Sequence, residues 1–124
     1  MKNYSKQREA ILNVLKNDHS HPTASSVYKK VREELPNISL GTVYRNLAEL
    51  ERAGEILSLS VGDGNEHFDG DTSSHIHLVC SECGEIIDFP DQQNQIFSII
   101  KDCDFDSKTS VCTVFGTCKN CRTK

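Results

Sequence analysis

"SLGTVYRNLAELERAGEILSLSVGDGNEHF", residues 39–68, carries two periodicities in succession. Up to Gly54 the apolar positions Val43, Leu47 and Leu50 recur at three- and four-residue steps, which puts them on one face of a helix. Ser39 stands where a side-chain oxygen caps such a helix, and Gly54 where its C-terminus closes. Beyond Gly54 apolar and polar residues alternate around Gly62-Asp63-Gly64, the pattern of a β-hairpin.

Upstream, "SKQREAILNVLKN" repeats Ala10, Ile11, Val14 and Leu15 at helical spacing, and Asn17-Asp18 ends it. "HPTASSVYKKVREELPN" follows, with Thr23 placed to cap a helix whose buried stripe is Ala24, Val27, Tyr28 and Val31, stopped at Leu35-Pro36-Asn37. Three short helices and a hairpin describe a winged helix-turn-helix, the third helix reading DNA and the hairpin forming the wing. Its exposed face offers Ser39, Thr42, Tyr44, Arg45 and Arg52 to phosphates and base edges of double-stranded DNA. The competing pattern is a helical bundle with a solvated charged face.

The net charge of −4 hides an asymmetry. Residues 1–60 hold nine Lys/Arg against seven Asp/Glu, net +2, and residues 61–124 hold five against eleven, net −6. Phosphate affinity follows local basic groups, so the first half is the part suited to DNA. No apolar stretch approaches a membrane span, and no leader suggests export, so a cytoplasmic protein is expected.

Downstream, "DGDTSS" reads as a hinge, giving a winged-helix domain over 1–67, a hinge over 68–73 and a second domain over 74–124. "HIHLVC" and "EIIDF" are strand-like and straddle Cys-x-x-Cys-Gly; "DQQNQIFSIIKDC" is a helix with Ile96, Ile99 and Ile100 on one side; "SKTSVCTVFGTC" is again strand-like. The fold class is therefore α+β. The second lobe is a small α/β unit with little core of its own, expected to pair with a copy of itself.

Cys80-x-x-Cys83 and Cys118-x-x-Cys121, 34 residues apart, form two metal knuckles. Four thiolates favour a closed tetrahedral Zn²⁺ site that supplies stability rather than chemistry. Four unrelated buried thiols are the plain alternative. On a strand, His75 and His77 share one face while Cys80 points to the other, so the imidazoles serve a second site. A single Cys₂His₂ centre would leave Cys118 and Cys121 without a role. Asp69 and Asp88 are the nearby oxygen donors, and mixed N/O ligation suits Fe²⁺, Mn²⁺ or Zn²⁺.

With "HPTASSVY", "ISLGTVYRNL", "HFDGDTSSHIHLVCSECGEIIDF" and "CKNC" in order, the chain resembles the ferric uptake regulator (Fur) family from about Gln7 to Cys121. Among its branches it is most similar to the peroxide-sensing repressors. The resemblance implies a dimeric, metal-dependent transcriptional repressor rather than an enzyme, with a C-terminal dimerisation domain. It implies regulatory ligands at His21, Asp69, His75, His77 and Asp88, with His21 tying the DNA-reading lobe to the dimer core. Both carboxylate positions carry Asp where iron-uptake members tend to have Glu, which implies an Fe²⁺-loaded peroxide sensor oxidised at His21 and His75. Mn²⁺ in the same place would repress without sensing.

Departures from the family pattern accompany this. Members usually have a further helix upstream, and their "TPQR" signature reads Ser5-Lys6-Gln7-Arg8. Ser110 stands where many members place a further metal-ligating His, so two metals per chain are expected. Cys103 and Cys112 match nothing essential and are expected to be core thiols. An iron- or zinc-uptake regulator on the same scaffold is the near alternative. A small metal-dependent hydrolase using His75, His77 and an Asp is the distant one, and it leaves the helix-turn-helix unexplained.

Overall fold

The computed structural model describes residues 2–73, 75–91, 95–106 and 111–122, except the side chains of residues 2–5 and 111. The chain divides into two compact units, one ending at Thr72 and the other beginning at Ser73.

The first unit contains α1 (Lys2–Asn17), α2 (Ala24–Val31), α3 (Leu40–Arg52), β1 (Leu57–Ser60) and β2 (Glu66–Asp69). The apolar stripes read from the sequence converge on one core: Ile11, Leu15, Val27, Val31, Val43, Leu47, Leu50 and Ile56 are all fully buried, with Phe68 of β2 closing the cluster. Each such side chain contributes about 1.5–3 kcal/mol on burial, which offsets the ordering of three short helices. Tyr28 is only half-buried at the edge of this core, its ring facing the Arg32 guanidinium 5.3 Å away. Thr23 caps α2 by accepting from the Ser26 amide at 3.3 Å. That helix ends at Val31, four residues before the Leu35-Pro36-Asn37 stop, and the chain turns until Leu35. β1 and β2 pair antiparallel, with Leu57 opposite Asp69 and Ser60 opposite Glu66, so the wing hairpin extends to Asp69. Gly70 follows where strand meets helix: a Cβ there would lie 2.8 Å from the Leu15 carbonyl, closer than side chains tolerate.

The second unit contains β3 (His75–Cys80), β4 (Ile86–Pro90), α4 (Gln95–Ile100), β5 (Val111–Gly116) and α5 (Lys119–Arg122). β3 is the central strand, antiparallel to β4 and parallel to β5. The register sets His77 opposite Asp88 and Cys80 opposite Gly116. Most of this unit's large apolar side chains are exposed: Phe89, Phe97, Phe105 and Phe115 are each more than half accessible. On α4, Ile96 and Ile100 are half-buried but Ile99 is 79% exposed, so the expected apolar side is not covered by this chain's described residues. The physical reason is size, because a unit this small cannot fold its own surface over every apolar face. The same reason corrects the cysteines: Cys103 is exposed and Cys112 half-buried, so neither is a core thiol. Ser110 lies outside the described residues.

Candidate metal centres

The two cysteine knuckles meet. β3 delivers Cys80 at its end, the turn before β4 carries Cys83, and α5 begins just past Cys118 and contains Cys121. Gly84, at φ +79°, makes the left-handed turn that the first knuckle needs and donates its amide to the Cys80 carbonyl at 2.9 Å. The four sulfurs lie within 4.8 Å of one another. A tetrahedron with Zn–S bonds of about 2.3 Å has edges of about 3.8 Å. The Cys83–Cys118 sulfur separation is 3.8 Å, which fits that geometry.

The thiols respond to their crowding. Amides of Cys118 and Cys83 point at the Cys80 sulfur, the former at 3.3 Å, and pull its pKa down to about 6 against some loss of hydration. The Cys118 sulfur and lost hydration push Cys121 up. At Cys83 the Glu85 amide works downward, but the Cys80 sulfur and lost hydration outweigh it and the thiol rises. One anion therefore forms readily and obstructs the next. A divalent cation removes that conflict by stabilising all four thiolates together.

A different chemistry lies elsewhere on the same sheet. His75 and His77 alternate with Ile76 and share one face of β3; both are buried, His77 completely. Their Nε2 atoms approach to 2.9 Å, and the Asp88 carboxylate on β4 lies 3.4 Å from His77 Nε2 and 3.7 Å from His75 Nε2. His75 Nδ1 donates to the Ser73 carbonyl at 2.8 Å. That bond fixes the Nδ1–H tautomer and leaves Nε2 with its lone pair turned towards the cluster, the arrangement a metal ligand requires.

The first unit holds a matching pair. His21 and Asp69 are both buried, with His21 Nε2 3.4 Å from an Asp69 oxygen. Asp69 ends β2 and its other oxygen accepts from the Asp71 amide at 2.9 Å. His21 sits between α1 and α2 with φ +59°, the left-handed region that non-glycine residues rarely enter. The sequence alone carried no sign of this, since a His before Pro at a helix start is an ordinary loop residue. Taken within each unit, the structure thus brings together Cys80, Cys83, Cys118 and Cys121; His75, His77 and Asp88; and His21 with Asp69.

The donor sets differ in chemistry. Four sulfurs suit a closed zinc site, whereas imidazole nitrogens beside a carboxylate suit Fe²⁺, Mn²⁺ or Zn²⁺.

On α3, Ser39 caps the helix by accepting from the Thr42 amide at 3.1 Å, while its hydroxyl donates to Thr42 Oγ1 at 2.9 Å. Thr42 is half-buried, and Tyr44 and Arg45 project into solvent from the face opposite Val43, Leu47 and Leu50. Asn46 is a buried polar residue that the apolar pattern missed; its Nδ2 donates to the Thr42 carbonyl at 2.9 Å. No helix among the described residues is long and apolar enough to cross a membrane.

Residues 2–115 match the family model described as the ferric uptake regulator family. The peroxide-responsive repressor PerR of Staphylococcus aureus is 38% identical over 120 residues, spanning 95% of this chain and 81% of that protein. Among solved structures, the Campylobacter jejuni peroxide stress regulator superimposes with a TM-score of 0.84 at 29% identity, covering 97% of this chain and 92% of the other. The Pseudomonas aeruginosa ferric uptake regulator with manganese gives 0.75 at 29% identity, covering 91% and 87%.

Proposed function

This chain belongs to the ferric uptake regulator family, and on that premise we propose that it is a metal-dependent, DNA-binding repressor of transcription that senses peroxide. The observation that supports this best is the donor chemistry: every carboxylate at the candidate regulatory site is an Asp, set against imidazoles whose Nε2 atoms face it. The similarity to a peroxide-responsive repressor and a peroxide stress regulator points the same way.

In this reading Cys80, Cys83, Cys118 and Cys121 hold a structural Zn²⁺. His21, Asp69, His75, His77 and Asp88 are the ligands of a regulatory Fe²⁺ or Mn²⁺. The first unit, with its wing running to Asp69, binds operator DNA, the segment that follows connects, and the second unit dimerises and binds metal, in the cytoplasm. The exposed apolar surface of the second unit suits a homodimer, since Phe89, Phe97, Ile99 and Phe115 would otherwise face water. The protein is a regulator and not an enzyme.

The chain's own residues then act as follows. Asp69 and Asp88 provide negative charge that favours a divalent cation over a proton. Ser73 keeps His75 in the tautomer that offers Nε2. Filling the site selects the dimer form in which two α3 helices fit successive half-sites, with Tyr44 and Arg45 meeting the DNA and Ser39 and Thr42 shaping the start of the helix. Fe²⁺ held by these residues would supply the chemistry that activates peroxide, one oxygen going to the ring of His21 or His75 and the other leaving as water. An oxidised ring is a poorer donor, so metal and DNA are released.

The test is DNA selection from random duplexes with Mn²⁺ present, followed by affinity measurements. Arg45→Ala and Tyr44→Ala should each weaken the selected duplex about tenfold while zinc content and dimer mass stay unchanged. Parental affinity in both variants would show that α3 is not the reading helix, and failure to enrich any duplex would contradict the repressor. The near alternative is a regulator of iron or zinc uptake, favoured if metal alone, and not peroxide, switches DNA binding. Asp88→Glu separates the two: it should keep metal-dependent repression but blunt the peroxide response.

A further inference from the structure

His67 lies outside every ligand set named above, yet both its ring nitrogens are engaged. Nδ1 is 2.7 Å from the His21 carbonyl oxygen, and Nε2 is 2.8 Å from Asp63 Oδ2 in the wing turn. Each ring nitrogen therefore faces an acceptor oxygen, one on the His21 backbone and one in the wing turn. The ring is largely buried, with 14% of its side chain exposed.

What it holds is costly to hold. At φ +59° His21 occupies the left-handed region, where the Cβ of an L-residue crowds its own backbone. Pro22 follows it and removes one amide that could have anchored the turn. The contacts that fix the segment come from β2: the Phe68 amide donates to the Pro22 carbonyl at 2.9 Å, Thr23 forms a bridge with His67, and His67 grips the His21 carbonyl. The same strand supplies Asp69, two residues on and hence on the same face as His67, opposite the His21 imidazole. Strand β2 thus sets both the backbone and the facing carboxylate of His21, while its other end carries the wing turn. Asp63 in turn accepts from the Asn65 amide at 3.0 Å, which locks the carboxylate into the turn.

We infer that His67 is a positioning residue: it clamps the strained His21 backbone to Asp63 of the wing, so that the aim of the His21 imidazole and the placement of the wing are set together. The inference rests on the reading of His21 as a regulatory ligand. It adds a route by which occupancy of that site reaches the DNA-contacting hairpin, independent of the dimer.

The experiment titrates zinc-loaded full-length protein with Mn²⁺, following the signal of free aqueous Mn²⁺ by electron paramagnetic resonance, alongside melting temperature and zinc content. His21→Ala is the control for the ligand reading and should abolish tight binding. His67→Ala should weaken Mn²⁺ about tenfold, the usual effect of removing a group that orients a ligand. Asp63→Asn, which touches the site only through His67, should weaken it about threefold, and the double variant should be no weaker than His67→Ala alone. His67→Arg, which carries donors for both acceptors, should recover most of the affinity; a merely structural loss would show as a lower melting temperature without that rescue. Parental affinity in His67→Ala and Asp63→Asn, with His21→Ala impaired, overturns the clamp and leaves the ligand reading intact. A loss in His67→Ala with none in Asp63→Asn, or an additive double variant, overturns the link to the wing. Parental affinity in His21→Ala overturns the ligand reading and the clamp together.

Discussion

The two units of this chain solve the problem of stability in opposite ways. The first encloses an apolar core of eight fully buried side chains drawn from three helices and the segment leading into β1, and its exposed residues are mostly polar. The second buries His75, His77, Val79 and Cys80 among its described residues, while its phenylalanines stand in solvent. An apolar core closes a fold from within. A unit whose centre is made of imidazoles and thiols is closed by what binds to it, so its stability and its state of ligation become the same quantity. That is the property a sensor needs, and the apolar core of the first unit does not supply it.

The largest break in this contrast should come from Cys80→Ser. Structural zinc is worth on the order of 10 kcal/mol in small domains. The variant should lose zinc and the second unit's fold while the amide pattern of the first unit persists in two-dimensional NMR; a folded, zinc-free second unit would show that its core is self-sufficient. Leu47→Ala tests the other side. It should lower first-unit stability by about 2–5 kcal/mol in denaturant melts without changing zinc content. Phe115→Ser should raise the dimer dissociation constant about tenfold in sedimentation, with the melting of each unit barely altered; an unchanged dimer would place that face outside the interface.

The smallest effect concerns acid. Asp18, beside Lys30 and Ser20, would be raised by burial, but its hydrogen bonds to them outweigh that and hold it near 2, below the ordinary 3.8. Its contribution is therefore complete above about pH 4 and lost as pH falls towards 2. Asp18→Asn should flatten first-unit stability over that window and lower it modestly at neutral pH.

The contrast also explains what the sequence revealed. Val43, Leu47 and Leu50 could be read as a buried face because a unit with an internal core obeys helical periodicity, and the Ser39 and Thr23 caps are local. The doubled Cys-x-x-Cys needed only spacing. Ile99 differs because periodicity marks apolar residues without saying what covers them, and among the described residues nothing covers it. Asp88 could be named as a donor near the histidines because strands joined by a short turn lie alongside, and the register sets it opposite His77. His21 came only through family resemblance, and His67 not at all. Their relation is a hydrogen bond across 46 residues that depends on a left-handed backbone, which residue types do not announce.

The most direct measurement is peptide mass spectrometry of the zinc-containing protein loaded with Fe²⁺ without oxygen and then given a slight excess of peroxide. A gain of one oxygen on the peptides bearing His21 and His75, absent after Mn²⁺ loading and accompanied by loss of DNA binding, is the predicted result. Unmodified histidines with DNA binding intact would contradict peroxide sensing and leave a regulator that answers to metal alone.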